Sequence, residues 1–151
     1  MKFRKPPVVE VWISVDFDPN EKKREPLDAQ RVEDYRQRVR SEFPKRESLH
    51  ATTFTFEEKS ATELLRVTDK DVRLKSVCLW NHDRSRLIQI DDDQFAFHVL
   101  KTPAETPSFS RVRAAAQPNP EKYVQVFLPQ QIRHATLHYL DIVEIPRPAG
   151  G

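Results

Sequence analysis

Glycine is almost missing from this chain of 151 residues: it has two, Gly150 and Gly151, both at the C-terminus, against twelve prolines. Phosphate loops, dinucleotide fingerprints and nucleophile elbows need glycine for close backbone approach or positive φ, so those enzyme classes are excluded. Cysteine is nearly as scarce. A single one, Cys78, can form neither an internal disulfide nor a Cys-rich zinc centre, and it fits a reducing cytoplasm. Long apolar runs are missing too, and the chain does not open on a charged stretch followed by an apolar core and a small-residue cleavage site. Membrane-spanning and secreted readings are therefore set aside, and a cytoplasmic location is expected. Nor is there an excess of one charge: 25 basic and 23 acidic residues leave a formal net charge of +2, so any basic binding surface has to be local. With 38% apolar residues, this length suits one core. Residues 1–146 are expected to form a single domain, with 147–151 as a flexible tail.

What is present is periodic. Val9, Val11, Ile13, Val15 and Phe17 fall on one face of an N-terminal strand, opposite Val8, Glu10, Trp12, Ser14, Asp16 and Asp18. Pro6 and Pro7 set its start and Pro19-Asn20 its end, and the charged run 20–26 reads as a loop. From Asp28, a plausible N-cap, Val32, Tyr35, Val39 and Phe43 recur at helical spacing until Pro44 stops them. Residues 49–56 alternate as a second strand rich in β-branched side chains. The polar stretch 57–71 has room for a short helix around Ala61 to Leu65. A meander follows: Val72 to Trp80, a turn at Asn81-His82-Asp83, Arg86 to Ile90, a turn at Asp91-Asp92-Asp93, and Gln94 to Leu100. Thr106-Pro107 reads as a helix start, with Phe109, Val112 and Ala116 on its buried side. Pro118 and Pro120 interrupt, and a helical piece resumes over Glu121 to Leu128, presenting Tyr123, Val124 and Phe127. A last strand runs from His134 to Val143, before Pro146. The expected fold is α+β: an antiparallel twisted sheet of about six strands, in the order β-α-β-β-β-β-α-β, with two helices packed on one face.

Four blocks carry a resemblance. They are Pro6-Pro7-Val8-Val9-Glu10-Val11, Phe43-Pro44-Lys45-Arg46-Glu47, Ser85-Arg86-Leu87-Ile88-Gln89-Ile90 leading to Phe95, and the closing Leu137-x-Tyr139-Leu140-Asp141-x-Val143-x-Ile145-Pro146. In order and spacing they resemble a sporadically distributed, functionally uncharacterised prokaryotic family, across nearly the whole chain. The resemblance implies an α+β fold and a scattered distribution of the kind seen for mobile or defence-associated genes, and it implies no known activity. Members of that family continue past the last strand into a second half, so it also implies that this chain is a short member or a truncated one. Asp141 departs from the family pattern, which usually has asparagine there.

Chemistry is sparse. His50-Ala51-Thr52 and His134-Ala135-Thr136 both fall on expected strands, where residues i and i+2 face the same way, so a histidine and a hydroxyl can serve one phosphate. The pair is similar to the two-histidine phosphoesterases. That resemblance implies one histidine as general base, the other as general acid, and Thr52 and Thr136 on phosphate oxygens, without a metal. Short motifs of this kind also arise by chance in a chain with five histidines. His134 and His138 have metal spacing only on a helix; on a strand their Cα atoms would stand about 13 Å apart. Asp91-Asp92-Asp93 reads as a solvated turn. Phe95-Ala96-Phe97 resembles the aromatic core of an RNA-recognition strand, but the acidic run before it would repel phosphate, and a buried core position accounts for both rings. The terminal Gly150-Gly151 invites a conjugation reading that a frayed tail explains as well.

No cofactor or metal site is expected, and no catalytic residue is assigned. The function expected is a non-enzymatic protein-interaction or regulatory domain, a homodimer or the partner of another protein, with the uncovered sheet face around Val8, Trp12 and Trp80 as its interaction surface. The alternatives are the phosphoesterase using His50, Thr52, His134 and Thr136, and single-stranded nucleic-acid binding.

Overall fold

A computed structural model of the protein describes residues 8–17, 27–57, 66–92, 94–127 and 132–141. The prolines before residue 8, the stop at Pro19-Asn20, the loop 20–26, the short helix around Ala61, and Ile142, Val143 and the Gly-Gly tail lie outside them. The elements are β1 (Val8–Phe17), α1 (Ala29–Val39), β2 (Lys45–Glu57), β3 (Arg66–Trp80), β4 (Arg86–Asp91), β5 (Gln94–Leu100), α2 (Phe109–Ala116), α3 (Pro118–Phe127) and β6 (Ile132–Asp141). All six strands join one sheet in the order β2-β3-β4-β5-β1-β6, and every pairing is antiparallel. The fold is α+β, in the expected element order, with the second helix split in two. Among the described residues no helix is long and apolar enough to cross a membrane.

One face of the sheet carries the core. Val11, Val77, Leu79, Ile88, Ile90, Phe95 and Phe97 meet Val32, Tyr35 and Val39 of α1, Val112 and Ala116 of α2, and Tyr123 and Val126 of α3 in one buried cluster. The register explains it: Ile88 opposes both Leu79 and Phe97, and Ile90 opposes both Val77 and Phe95, so apolar side chains stack in rows across the strands. Each such side chain, fully buried, contributes about 1.5–3 kcal/mol. All three helices lie on this face.

Several boundaries move for physical reasons. The α1 helix is capped as expected, with the Asp28 carboxylate accepting from the Gln30 and Arg31 amides, and it ends at Val39 rather than Phe43. Phe43 still enters the core, its amide donating to the Val39 carbonyl at 2.8 Å. The α2 helix starts after Ser108, not at Thr106-Pro107, because Thr102 and Glu105 pair in a bridge just before and Pro107 is buried. Phe109 is 43% exposed rather than buried. The α3 helix absorbs both prolines in its first turn, where a missing N–H leaves no bond unmade, and it buries Tyr123 and Val126 while leaving Val124 exposed. The polar residues 66–71 are strand: with β2 they extend a two-stranded ribbon beyond β4, exposed along most of its length, where polar side chains are at home.

A chain without internal glycine still needs a left-handed residue. Arg84 supplies it, at φ 58°, in the turn between β3 and β4. Asn81, 5% exposed, holds that turn: its amide nitrogen donates to Ser85 Oγ at 3.0 Å, and its oxygen accepts from the Arg86 amide at 3.0 Å. Asn81→Ala leaves these groups unsatisfied and is expected to cost about 1–3 kcal/mol, read as a lowered urea midpoint at unchanged slope.

Candidate functional site

The other sheet face has no described helix over it, and the strand register sets out its polar side chains. His138 of β6, Trp12 of β1, His98 of β5, Leu87 of β4 and Trp80 of β3 form one lateral row; Thr136, Ser14, Ala96, Gln89 and Cys78 form the next. At the centre Trp12 is held between two imidazoles. Its ring lies 5.6 Å from His98 at 12° and 4.5 Å from His138 at 7°. Each histidine is tied back to β1: His98 Nδ1 donates to Glu10 Oε1 at 2.6 Å, and His138 Nε2 shares a 3.1 Å hydrogen bond with Ser14 Oγ.

The chemistry this permits is limited by access. Ser14 and His138 have the composition of a nucleophile and its base, but Ser14 is 2% exposed and the His138 ring is occupied by Trp12. His98 is 8% exposed, and the Glu10 carboxylate fixes the proton on Nδ1, leaving the buried Nε2 lone pair with no hydrogen-bond partner. Burial, only partly opposed by Glu10, lowers the His98 pKa, so the ring is favoured neutral. Cys78, on the same face, is pushed up by burial, which keeps it a protonated thiol and a weak nucleophile. Among the described residues no three His, Cys, Asp or Glu side chains gather to hold a metal.

The two His-x-Thr motifs are not brought together. β2 and β6 are the opposite edges of the sheet, five strand spacings or about 24 Å apart. His50 pairs with Leu74, which packs against the helix-side core, whereas His134 and Thr136 pair with Asp16 and Ser14 on the open face. Alternation along β2 is unbroken from Arg46 opposite Leu79 and Ser48 opposite Val77, so His50 and Thr52 fall on the helix side, the opposite face from Thr136 and His134. The two histidines therefore cannot act on one phosphate. Phe95 and Phe97, at 2% and 1% exposure, are likewise closed to a stacking base.

The three residues expected to form an interaction surface do not stand together on the open face. Val8 packs against the core rather than standing on the open face. Trp12 and Trp80 do share that face, three strands apart, but both are half-buried and engaged. Trp80 Nε1 donates to Glu47 at 3.1 Å beneath the Arg84 guanidinium, and Arg84 bonds Glu47 at 2.7 Å. These hydrogen bonds, Arg84 first, hold the Glu47 carboxyl below the usual carboxylate range.

Exposed apolar side chains stand on the β2–β3 ribbon, at Leu49, Phe54 and Val72, and along β6. Ile132 is 57% exposed, Leu137 37%, Tyr139 51% and Leu140 46%. Ala135, Leu137 and Tyr139 pair with Val15, Ile13 and Val11, so they extend the core face one strand further, where no described helix covers them. Among the described residues nothing pairs with the outer edge of β6. Alternation over His134 to Tyr139 announced a strand in the sequence; that the strand would be the uncovered edge was not visible there.

The His98 pKa sets a pH dependence. A histidine that binds its proton less readily folded than unfolded contributes stability that is complete above the unfolded value of about 6.5 and is lost as pH falls through the lowered folded value. His98→Gln is expected to show a smaller loss of urea midpoint between about pH 8 and about pH 5 than the parent chain; equal losses would place the acid sensitivity elsewhere.

No family model, no curated protein and no solved structure matches this chain.

Proposed function

We propose that this chain is a protein-interaction domain that takes hold of its partner by adding a strand to the outer edge of β6. The observation that supports the reading is the state of that edge. An edge strand presents a row of unpaired N–H and C=O groups, and proteins blunt such rows with central charges, prolines, bulges or short strands. β6 has none of these at its centre. Its pairing to β1 is regular from His134 to Leu140, and its only charged residues, Arg133 and Asp141, stand at the two ends. The opposite edge also carries its charges at its ends, but the ribbon it forms with β3 is twisted by bulges at Lys75, opposite the middle of β2, and at Thr68. Strand addition joins main-chain hydrogen bonds, which supply affinity, to alternating side chains, which supply specificity. On β6 those side chains would be Ala135, Leu137 and Tyr139 on one face and His134, Thr136 and Leu140 on the other.

A photo-crosslinking amino acid at Tyr139, compared with one at the equally exposed Val72 of the ribbon, tests the reading in a cell extract. The expected result is a discrete adduct from position 139 that disappears when Leu137→Lys is added, with none from position 72. Adducts that ignore Leu137→Lys would count against strand addition at β6.

A further inference from the structure

We infer that the strand added to β6 is β6 of a second copy of this chain, giving a two-fold dimer with one continuous twelve-stranded sheet. The inference rests on reading β6 as the binding edge, and it adds the identity of the occupant. It comes from the pattern of charge along the strand. In an antiparallel pairing of a strand with itself, one residue sits on the two-fold axis, and residues equally far before and after it face each other across the junction. With Leu137 on the axis, Arg133 of one copy faces Asp141 of the other, and the same pair recurs at the far end. Four positions separate each charge from the centre, so the strand is complementary to itself.

Side-chain size agrees with charge. In this register Leu137 meets Leu137 and the small Ala135 meets the large Tyr139 on the helix side, while Thr136 meets His138 and His134 meets Leu140 on the open face. Facing residues share a face, as a continuous sheet demands. Moving the axis by one residue destroys the match: on Thr136 it places Arg133 against Tyr139, and on His138 it places Asp141 against Ala135. Arg133 is the extra residue of the bulge that closes the regular run, and in the dimer its long side chain would turn to the facing Asp141 across the small offset this introduces. Joining the two edges would cover Leu137 and Tyr139 of both copies and satisfy the outward backbone groups of both β6 strands at once.

Sedimentation of the purified chain over a wide concentration series tests this. The parent is expected to pass from monomer to dimer as concentration rises. Asp141→Arg alone and Arg133→Asp alone set like charges against each other twice per dimer, and each is expected to weaken association about tenfold or more. Mixing those two variants pairs opposite charges at both ends, so the mixture should recover a heterodimer of near-parental strength. In case a charge variant fails to fold, Leu137→Cys in a Cys78→Ser background provides a second arm: cysteines on the axis should oxidise to a covalent dimer, as Val72→Cys in the same background should not. A parent chain that stays monomeric throughout, charge variants that associate like the parent, or a position-137 cysteine that does not cross-link would each overturn the self-pairing. If the parent is monomeric while position 139 still gives the Leu137-dependent adduct in extract, β6 binds a different protein and only the second copy is ruled out. Loss of both results removes strand addition itself.

Discussion

Tyr35 is the side chain around which the molecule closes. Its ring makes edge contacts with Phe95 of β5 and Tyr123 of α3 at 6.1 Å each and lies 6.2 Å from Phe127, so one residue of α1 joins the helix layer to the sheet. Burial pushes its phenol well above the ordinary tyrosine value, and the hydroxyl donates to the Asn119 carbonyl at the start of α3. Aromatic contacts of this kind are worth about 0.5–1.5 kcal/mol each beyond the area they bury. Phe95, which both Tyr35 and Tyr123 touch, is on β5, so these contacts draw α1 and α3 over the middle of the sheet. The helices pack on β1, β3 and β5.

What remains uncovered follows from that geometry. β6 lies one strand beyond the helix layer, and its core-facing residues Leu137 and Tyr139 continue the apolar rows of β1 into solvent. The second sheet face, open to solvent in principle, has instead tied up most of its polar side chains with one another. Glu10 holds His98, Ser14 holds His138, and both imidazoles stack on Trp12, while Glu47 and Arg84 enclose Trp80. A tryptophan clamped in this way is part of the protein's own structure. Leu137, on an edge strand with which no other described strand pairs on its outer side, is 37% exposed and has no such enclosure among the described residues. The contrast is the reason for proposing β6, and not the two tryptophans, as the place where a partner would bind.

Much of the architecture was legible in the residues. The strands β1, β4 and β5 show period-two alternation and α1 shows a stripe of Val32, Tyr35 and Val39 behind an Asp28 cap, because each buries a single face and the pattern of burial is written locally. The polar half of β3 was not legible, since its residues 66–71 pair only with β2 in a ribbon where burial imposes no pattern. The start of α3 was obscured because proline reads as a breaker, although in a first turn it breaks nothing.

For the site, residue identity set the candidates and position decided among them. The sequence by itself determined the α+β class, the antiparallel meander, the lack of any glycine-dependent loop and the presence of two His-x-Thr strands. Only the tertiary structure decided that those strands are opposite edges, that Val8 belongs to the core, and that Trp12 is enclosed by His98 and His138. Alternation specifies the two faces of a strand, because side chains change sides at every residue. Which strand lies beside which depends on long-range pairing and on how far the helices reach, and neither has a local signature.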